Sequence, residues 1–120
     1  MSNPCMFCEI VEFRAPADRI HDTPDTSAFV PLNPVTPGHV LIVPTRHVRD
    51  AAEDPEVTAR TMADAAKLAG LYGVPFNLIT SAGADATQTV FHLHIHYVPR
   101  RPGDGLALPW TGQHEALTSR

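Results

Sequence analysis

Long apolar segments and clusters of basic residues are both missing from this sequence of 120 residues. No apolar run approaches the roughly 20 residues that a helix needs to cross a bilayer, and the opening MSNPCMFCEI lacks the basic stretch and apolar core of a secretory signal. Only nine residues are lysine or arginine, they are scattered, and the net charge is −4. We therefore expect a cytoplasmic protein that binds neither membranes nor nucleic acid, although it can still bind a small anionic ligand.

Cysteine is also scarce, and its two copies, Cys5 and Cys8, stand close together in a CxxC motif. That spacing is too short for an ordinary disulfide that closes a long loop. Two interpretations are open: buried thiols on one face of a short helix, or two thiolate ligands of a zinc ion that two imidazoles complete. A redox pair is the least favoured, because no βαβ pattern surrounds the motif.

The apolar pattern and the turn residues predict two helices and five strands. Asp54 suits the N-cap of a long helix with Pro55 at its first position, and Gly73 suits its end. A short helix followed by three strands, a helix and two strands is typical of an α+β fold with an antiparallel sheet. We expect one domain over residues 1–120, with residues 113–120 as a flexible tail. The predicted helices span about 7–13 and 55–72, and the predicted strands span about 19–22, 28–30, 39–43, 76–80 and 90–98.

Three histidines alternate with apolar residues in the segment FHLHIHY, which begins at Phe91. Because side chains on a strand alternate between its two faces, His92, His94 and His96 are predicted to share one face, while the apolar residues between them face the core. Imidazole can be a neutral nucleophile, a proton donor near neutral pH or a metal ligand. The pattern therefore predicts a functional site on this strand.

The segment HLHIHYV fits the alternating signature of the histidine-triad (HIT) superfamily of nucleotide-binding proteins, and other segments fit in the same order along the chain. The chain therefore resembles that superfamily, and in particular its small bacterial Hint-like branch. The resemblance implies an α+β fold with a five-stranded antiparallel sheet, one long helix and a short N-terminal helix. The other matching segments are CMFCEI near the start, NPVTPGHVLIVPTRH at 33–47, Gln88-Thr89 and the tail VPRRPGDG.

The resemblance also implies a chemistry. Members of the family bind a nucleoside phosphate or phosphoramidate, and their middle histidine attacks the α-phosphorus to form a nucleotidyl-histidine, which water hydrolyses. By position, the resemblance assigns that role to His94. It implies that His96 and His39 stabilise the phosphoryl oxygens, and that Thr89 assists departure of the leaving group. The implied substrate is a purine nucleoside phosphoramidate, an acyl-adenylate or a dinucleoside polyphosphate. The expected substrate contacts are Asn33, Ser81, Gln88, His96 and Trp110.

A structural zinc ion and a homodimer are implied as well. Similar proteins add two imidazoles, here His47 and His92, to the thiolates of Cys5 and Cys8. They are two-fold dimers in which the long helix and a sheet edge pair across the axis. The C-terminal segment of such proteins, which here carries Trp110, reaches toward the nucleotide pocket of the partner.

Two positions depart from the family pattern. Pro31 stands where relatives have a side chain that grips the ribose hydroxyls, and it offers no hydrogen-bonding side chain, so that Asn33 is the expected substitute. Ser81 stands where relatives have a longer Asn or Gln. Three functions therefore stay open: a HIT-type nucleotide hydrolase, a nucleotide-binding regulator with little catalysis, and a hydrolase with catalytic zinc on His92, His94 and His96.

Overall fold

The elements follow one another in the predicted order. The computed structural model describes residues 5–111, and within them the chain forms an antiparallel five-stranded sheet, one long helix and one short helix, which confirms the α+β prediction. The predicted tail at 113–120 lies outside the described residues. The elements are α1 (Met6–Val11), β1 (Asp18–Asp22), β2 (Thr26–Val30), β3 (Val40–Pro44), α2 (Pro55–Tyr72), β4 (Phe76–Ile79), a 3-10 turn (Ala84–Ala86) and β5 (Ile95–Pro99).

Strand β3 lies in the middle of the sheet, whose order is β1-β2-β3-β5-β4. Its sequence VLIVP is apolar throughout and every residue of it is buried, as expected for a β-branched strand covered on both faces. Antiparallel pairing places Leu41 of β3 opposite His96 of β5. Residues that are directly opposite share one face of a sheet, so His96 lies on the face that carries Leu41.

The two helices cover opposite faces of the sheet. Helix α2 packs on the face that includes Ile42, Ile95 and Tyr97, whereas α1 packs on the face that includes Phe29 and Leu41. The bounds of α2 are those predicted, because the Asp54 side chain accepts from the N–H groups of Glu56 and Val57 and Gly73 ends the helix with φ of 65°. In the described part of the chain, no helix has both the length and the apolar character needed to cross a membrane.

Strand β5 is shorter than predicted, since it begins at Ile95 and not at residue 90. The backbone groups that immediately precede β5 form hydrogen bonds outside the strand ladder. The N–H of Leu93 donates to the carbonyl oxygen of Val48 at 2.8 Å, and the carbonyl oxygen of His94 accepts from Thr80 Oγ1 at 2.7 Å. His92 and His94 therefore stand in an irregular segment that leads into the strand. The idea of three histidines on one regular strand is wrong in this respect.

A tight turn places His39 immediately before β3. Gly38 adopts φ of 91°, and a Cβ atom built on it would lie 3.0 Å from Cγ of Pro99 in β5. A side chain at this position would therefore be strained by its backbone conformation and also crowded. The turn brings His39 onto the sheet beside β5 with only 4% of its surface exposed.

Candidate functional site

His94 is held with one ring nitrogen free for chemistry. Its Nδ1 lies 2.9 Å from the carbonyl oxygen of His92, and because a carbonyl can only accept, Nδ1 carries the proton. Nε2 of the neutral ring then keeps its lone pair. The residue is almost fully buried, with 9% of its surface exposed, so this tautomer is held in a poorly hydrated environment. The fixed acceptor that a nucleophilic imidazole requires is the backbone of the neighbouring histidine.

His96 is fixed in the opposite tautomer by a chain of hydrogen bonds. The backbone N–H of Val35 donates to Nδ1 of His39 at 3.1 Å, so the proton of that neutral ring is on Nε2. Nε2 of His39 lies 2.9 Å from Nδ1 of His96 and donates to it. His96 therefore carries its proton on Nε2, where it can be donated to a phosphoryl oxygen.

Burial keeps this histidine pair neutral. Desolvation, followed by the neighbouring His94 and His39, lowers the pKa of His96 to about 4. Desolvation also lowers the pKa of His39. Both rings are therefore uncharged at neutral pH, as the tautomer assignment requires. The ring centroids of His94 and His96 lie 5.1 Å apart, so the free nucleophile and the fixed donor are adjacent.

Four further residues form a compact cluster of metal-ligating atoms. Cys5, Cys8, His47 and His92 each contribute one atom, and the four atoms lie within 4.8 Å of one another. Cys8 Sγ is 3.2 Å from His47 Nδ1, and the two Nδ1 atoms of His47 and His92 are also 3.2 Å apart. The bond lengths of tetrahedral zinc to sulfur and nitrogen place ligand atoms roughly 3.3–3.8 Å from each other. The donor set and its spacing therefore fit a zinc ion.

The protonation state of the cluster also fits a cation. His92 Nε2 lies 2.8 Å from the carbonyl oxygen of Pro44 and must donate to it, which leaves Nδ1 unprotonated and facing the thiols. Burial, and then the neighbouring Cys5, raise the pKa of the Cys8 thiol to about 11. A divalent cation would reverse that effect, since it stabilises thiolates. The open question about Cys5 and Cys8 is thus answered in favour of metal-ligand geometry over simple packing.

The three histidines of the FHLHIHY segment do not converge on one point. Nδ1 of His92 faces the two cysteines, Nδ1 of His94 binds a backbone carbonyl, and Nδ1 of His96 binds His39. Within residues 5–111, the four-residue cluster is the one group of three or more ligating side chains that could hold a metal ion. The arrangement therefore contradicts a catalytic zinc on His92, His94 and His96.

Gln88 has a different position from the one predicted for a phosphate contact. The residue is 3% exposed, its Oε1 accepts from the N–H of Gly83, and its Nε2 donates to the carbonyl oxygens of Arg49 and Val90 at 2.7 and 3.1 Å. All polar atoms of the amide are thus used by the backbone. In this structure the side chain holds the loop before the histidines.

Three further predicted substrate contacts, and Thr89, which was predicted to assist the leaving group, lie at or near the surface. Asn33, Thr89 and Trp110 are exposed and Ser81 is half-buried. Among the residues that the structure describes, no hydrogen bond or aromatic contact joins these four to His39, His94 or His96. The segment that leads to Trp110 is anchored by Arg100, which donates to both carboxylate oxygens of Asp104 at 2.7 and 3.1 Å.

Two residues of the site were missed by the sequence analysis. Thr80 holds the carbonyl of His94, and the ring of Phe7 packs edge-to-face on His94 with centroids 5.2 Å apart. Phe7 lies inside the CMFC segment, in which a role was predicted for the two cysteines but none for the phenylalanine between them. Thr80 offered none, because a threonine at the end of a strand has many ordinary roles.

Comparison with known proteins places this site in a wider group. The HIT domain family matches residues 12–103 of the chain. An uncharacterized HIT-like protein of Mycobacterium tuberculosis strain H37Rv is 36% identical over 115 residues, which cover 88% of this chain and 77% of that protein. The adenosine 5′-monophosphoramidase of Saccharomyces cerevisiae is 31% identical over 112 residues, with coverage of 91% and 71%.

A solved structure extends the similarity to three dimensions. The crystal structure of a zinc-bound histidine triad family protein from Mycobacterium smegmatis matches with a TM-score of 0.76 and 37% identity. The match covers 87% of this chain and 80% of that chain.

Proposed function

The chain belongs to the histidine-triad (HIT) family, and on that premise we propose that it is a nucleotide hydrolase or transferase that reacts at the α-phosphate through a nucleotidyl-His94 intermediate. The observation that carries the proposal is the bond from His94 Nδ1 to the His92 carbonyl, which leaves Nε2 as a neutral nucleophile. The yeast relative named for its action on adenosine 5′-monophosphoramidate supports this reaction class. The proposed substrates are purine nucleoside phosphoramidates, acyl-adenylates or dinucleoside polyphosphates.

The proposed reaction has two balanced steps. The lone pair of His94 Nε2 bonds to the α-phosphorus while the bond from phosphorus to the leaving group breaks. The leaving group departs with that electron pair and takes up a proton, for which the Thr89 hydroxyl is the proposed relay. Water then bonds to the same phosphorus while the bond from phosphorus to Nε2 breaks and its electron pair returns to His94. Water loses a proton to solvent, which balances the proton that the leaving group took up, and the products are the nucleoside monophosphate and neutral His94.

The neighbouring histidine pair assists both steps. The Nε2–H of His96, fixed by His39, is a donor for a phosphoryl oxygen whose negative charge increases in the transition state. The His92 carbonyl stabilises the positive charge that the ring of His94 acquires when phosphorus is attached to it. We assign ribose recognition to Asn33 and the remaining substrate contacts to Ser81 and Trp110, and we assign Gln88 to holding the loop.

We propose that the four-residue cluster holds a structural zinc ion. The ligands would be Sγ of Cys5 and Cys8 and Nδ1 of His47 and His92. Four protein ligands close the coordination sphere, so such an ion joins α1 to the segment before β5 and takes no substrate. The zinc-bound relative from M. smegmatis supports this assignment. Cysteines must stay reduced to bind zinc as thiolates, so we propose that the protein works in a reducing compartment, the cytoplasm.

We also propose a homodimer that pairs through β4. This strand is at one edge of the sheet, so its outer side presents backbone groups that another strand can pair with. Its residues Phe76 and Ile79 are 40% and 36% exposed. An edge with exposed apolar side chains is the usual starting point for pairing between subunits.

The decisive experiment is incubation of the purified protein with adenosine 5′-phosphoramidate, with AMP release followed over time. We expect release by the wild type and none by His94→Ala, while both bind AMP. His21→Ala removes an exposed histidine on β1 and is the matched control, which should retain activity. Release by His94→Ala at the wild-type rate would refute nucleotidyl transfer through this residue.

A nucleotide-binding regulator is the second candidate, because Pro31 replaces a polar ribose contact. The same experiment separates the two functions. AMP binding by the wild type without release of AMP from any of the three substrate classes would favour the regulator.

A further inference from the structure

The first helix brings an aromatic ring to the nucleophile. Phe7 lies in α1 between Cys5 and Cys8 and is 6% exposed. Its ring centroid lies 5.2 Å from that of His94 with an interplanar angle of 79°, and 6.0 Å from that of His92 with an angle of 77°. Both contacts are edge-to-face, which is a favourable geometry for aromatic rings.

These contacts restrict how the His94 ring can turn. Its Nδ1 is bound to the His92 carbonyl, the ring of His96 lies 5.1 Å away at 67°, and Phe7 occupies another side. Rotation of the ring would break the carbonyl bond and move Nε2 away from the substrate. His94 is only 9% exposed and Phe7 is part of what covers it, and a poorly hydrated environment strengthens the Nδ1 bond.

We propose that Phe7 is a positioning residue for His94, which holds the ring in the orientation and tautomer that leave Nε2 free to attack phosphorus. This inference rests on the proposed function, because only that function makes Nε2 a nucleophile. The contact of Phe7 with His94 is present without a substrate. Helix α1 lies outside residues 12–103, over which the HIT domain matches. The chain therefore completes the environment of its nucleophile with a segment outside the matched domain.

The alternative is that Phe7 only fills the core. It packs on Phe29 with ring centroids 5.6 Å apart and belongs to the buried cluster of α1 with Ile10. A core-filling role requires apolar volume, which leucine also supplies. A positioning role requires the flat ring beside His94, which leucine lacks.

The test compares Phe7→Leu with Ile10→Val in the zinc-loaded protein. Ile10 lies on the same helix and is equally buried, at 6% exposed, but it belongs to no proposed site. Three quantities are measured: kcat and KM for adenosine 5′-phosphoramidate, the ¹⁵N NMR signals of the His94 ring, and zinc content. Zinc content shows that the cluster is intact in each variant.

We expect Phe7→Leu to lower kcat by roughly tenfold, which is the upper range for the loss of one aromatic pair, with little change in KM. The ¹⁵N signals of His94 should move toward the average of the two tautomers. Ile10→Val should lower the thermal midpoint while leaving kcat and the His94 signals at wild-type values.

Two results would overturn the inference: wild-type His94 signals in Phe7→Leu, or the same loss of kcat in both variants. If the wild type releases AMP from none of the three substrate classes, the proposed function fails, but the ¹⁵N signals still decide the role of Phe7. If Phe7→Leu does not fold, Phe7→Met, which retains apolar volume without a ring, is measured in the same way.

Discussion

Each of the three imidazoles in the FHLHIHY segment has one nitrogen bound to a neighbouring histidine or to a backbone carbonyl, and that bond determines what the other nitrogen can do. His92 donates from Nε2 to Pro44 and offers Nδ1 to the cysteines, whereas His94 donates from Nδ1 and offers Nε2. His92 also supplies the carbonyl that binds His94. His92 thus contributes its side chain to the proposed zinc site and its backbone to the proposed nucleophile.

Because the folded protein keeps the His96 ring neutral, its free energy of unfolding depends on pH. Its pKa is about 4 when folded and near the ordinary value of about 6.5 when unfolded. Between these values the unfolded chain binds more protons, so stability is fully present above pH 6.5 or so and is lost as the pH falls toward 4. We expect His96→Asn to reduce the slope of unfolding free energy against pH in this window.

Urea unfolding of metal-free protein at several pH values between 4.5 and 7 measures that slope, with wild type and variant compared at each pH. An unchanged slope in His96→Asn would show that this imidazole is not held neutral by the fold.

At the scale of elements, the sequence predicted the helices and strands well and the segment before β5 poorly. Helix α2 was predictable because its ends are decided by local residues, Asp54, Pro55 and Gly73. Alternation of His92, Leu93 and His94 indicated a strand, but their backbone groups bind Val48, Thr80 and the His94 ring. Val48 and Thr80 lie outside the segment, and the third bond is made by a side chain to the backbone, so the alternation of apolar and polar residues reveals none of them.

The turn before β3 is sensitive to any added side chain. Gly38→Ala places a Cβ 3.0 Å from Pro99 at positive φ, so we expect a loss of about 1 kcal/mol or more in unfolding free energy and a shift of His39. Gly70→Ala is the control, because nothing lies within 4 Å of the added atom. Gly70 lies in the last turn of α2, where alanine is the better helix former, so this change should stabilise by up to about 0.5–1 kcal/mol.

Denaturant unfolding and the His39 NMR signals measure both effects. Equal stability changes of the same sign in the two variants would contradict the crowding seen at Gly38.

At the scale of the whole molecule, the metal cluster joins three distant parts of the chain. Chelation of zinc should lower the thermal midpoint by roughly 10–15 °C, since tight binding to the folded state alone adds about 4 kcal/mol and each 1 kcal/mol is worth a few degrees. Cys8→Ser should start from the lower midpoint and respond little to the chelator. Metal analysis and thermal scans check this, and a wild type that melts at the same temperature with and without chelator would refute a structural ion.

The proposed dimer can be tested at the edge strand. A lysine on an edge strand opposes pairing, so Ile79→Lys should reduce the mass in solution from twice 13.0 kDa to 13.0 kDa. Leu32→Lys is the control: Leu32 is 86% exposed and lies in the connection between β2 and β3, away from both α2 and β4 in sequence. Light scattering gives the masses, and a wild-type mass of one chain would contradict the dimer.

The contact between Cys5 and His92 spans 87 positions of the sequence. A ribosome makes the CxxC segment early and the histidine segment late, so α1 waits through most of synthesis before its partners exist. A nascent chain that stops before His92 carries the two thiols without their imidazole neighbour from that segment. Because such long-range contacts form after local ones, the surroundings of the His94 imidazole are complete only when nearly the whole chain has been made.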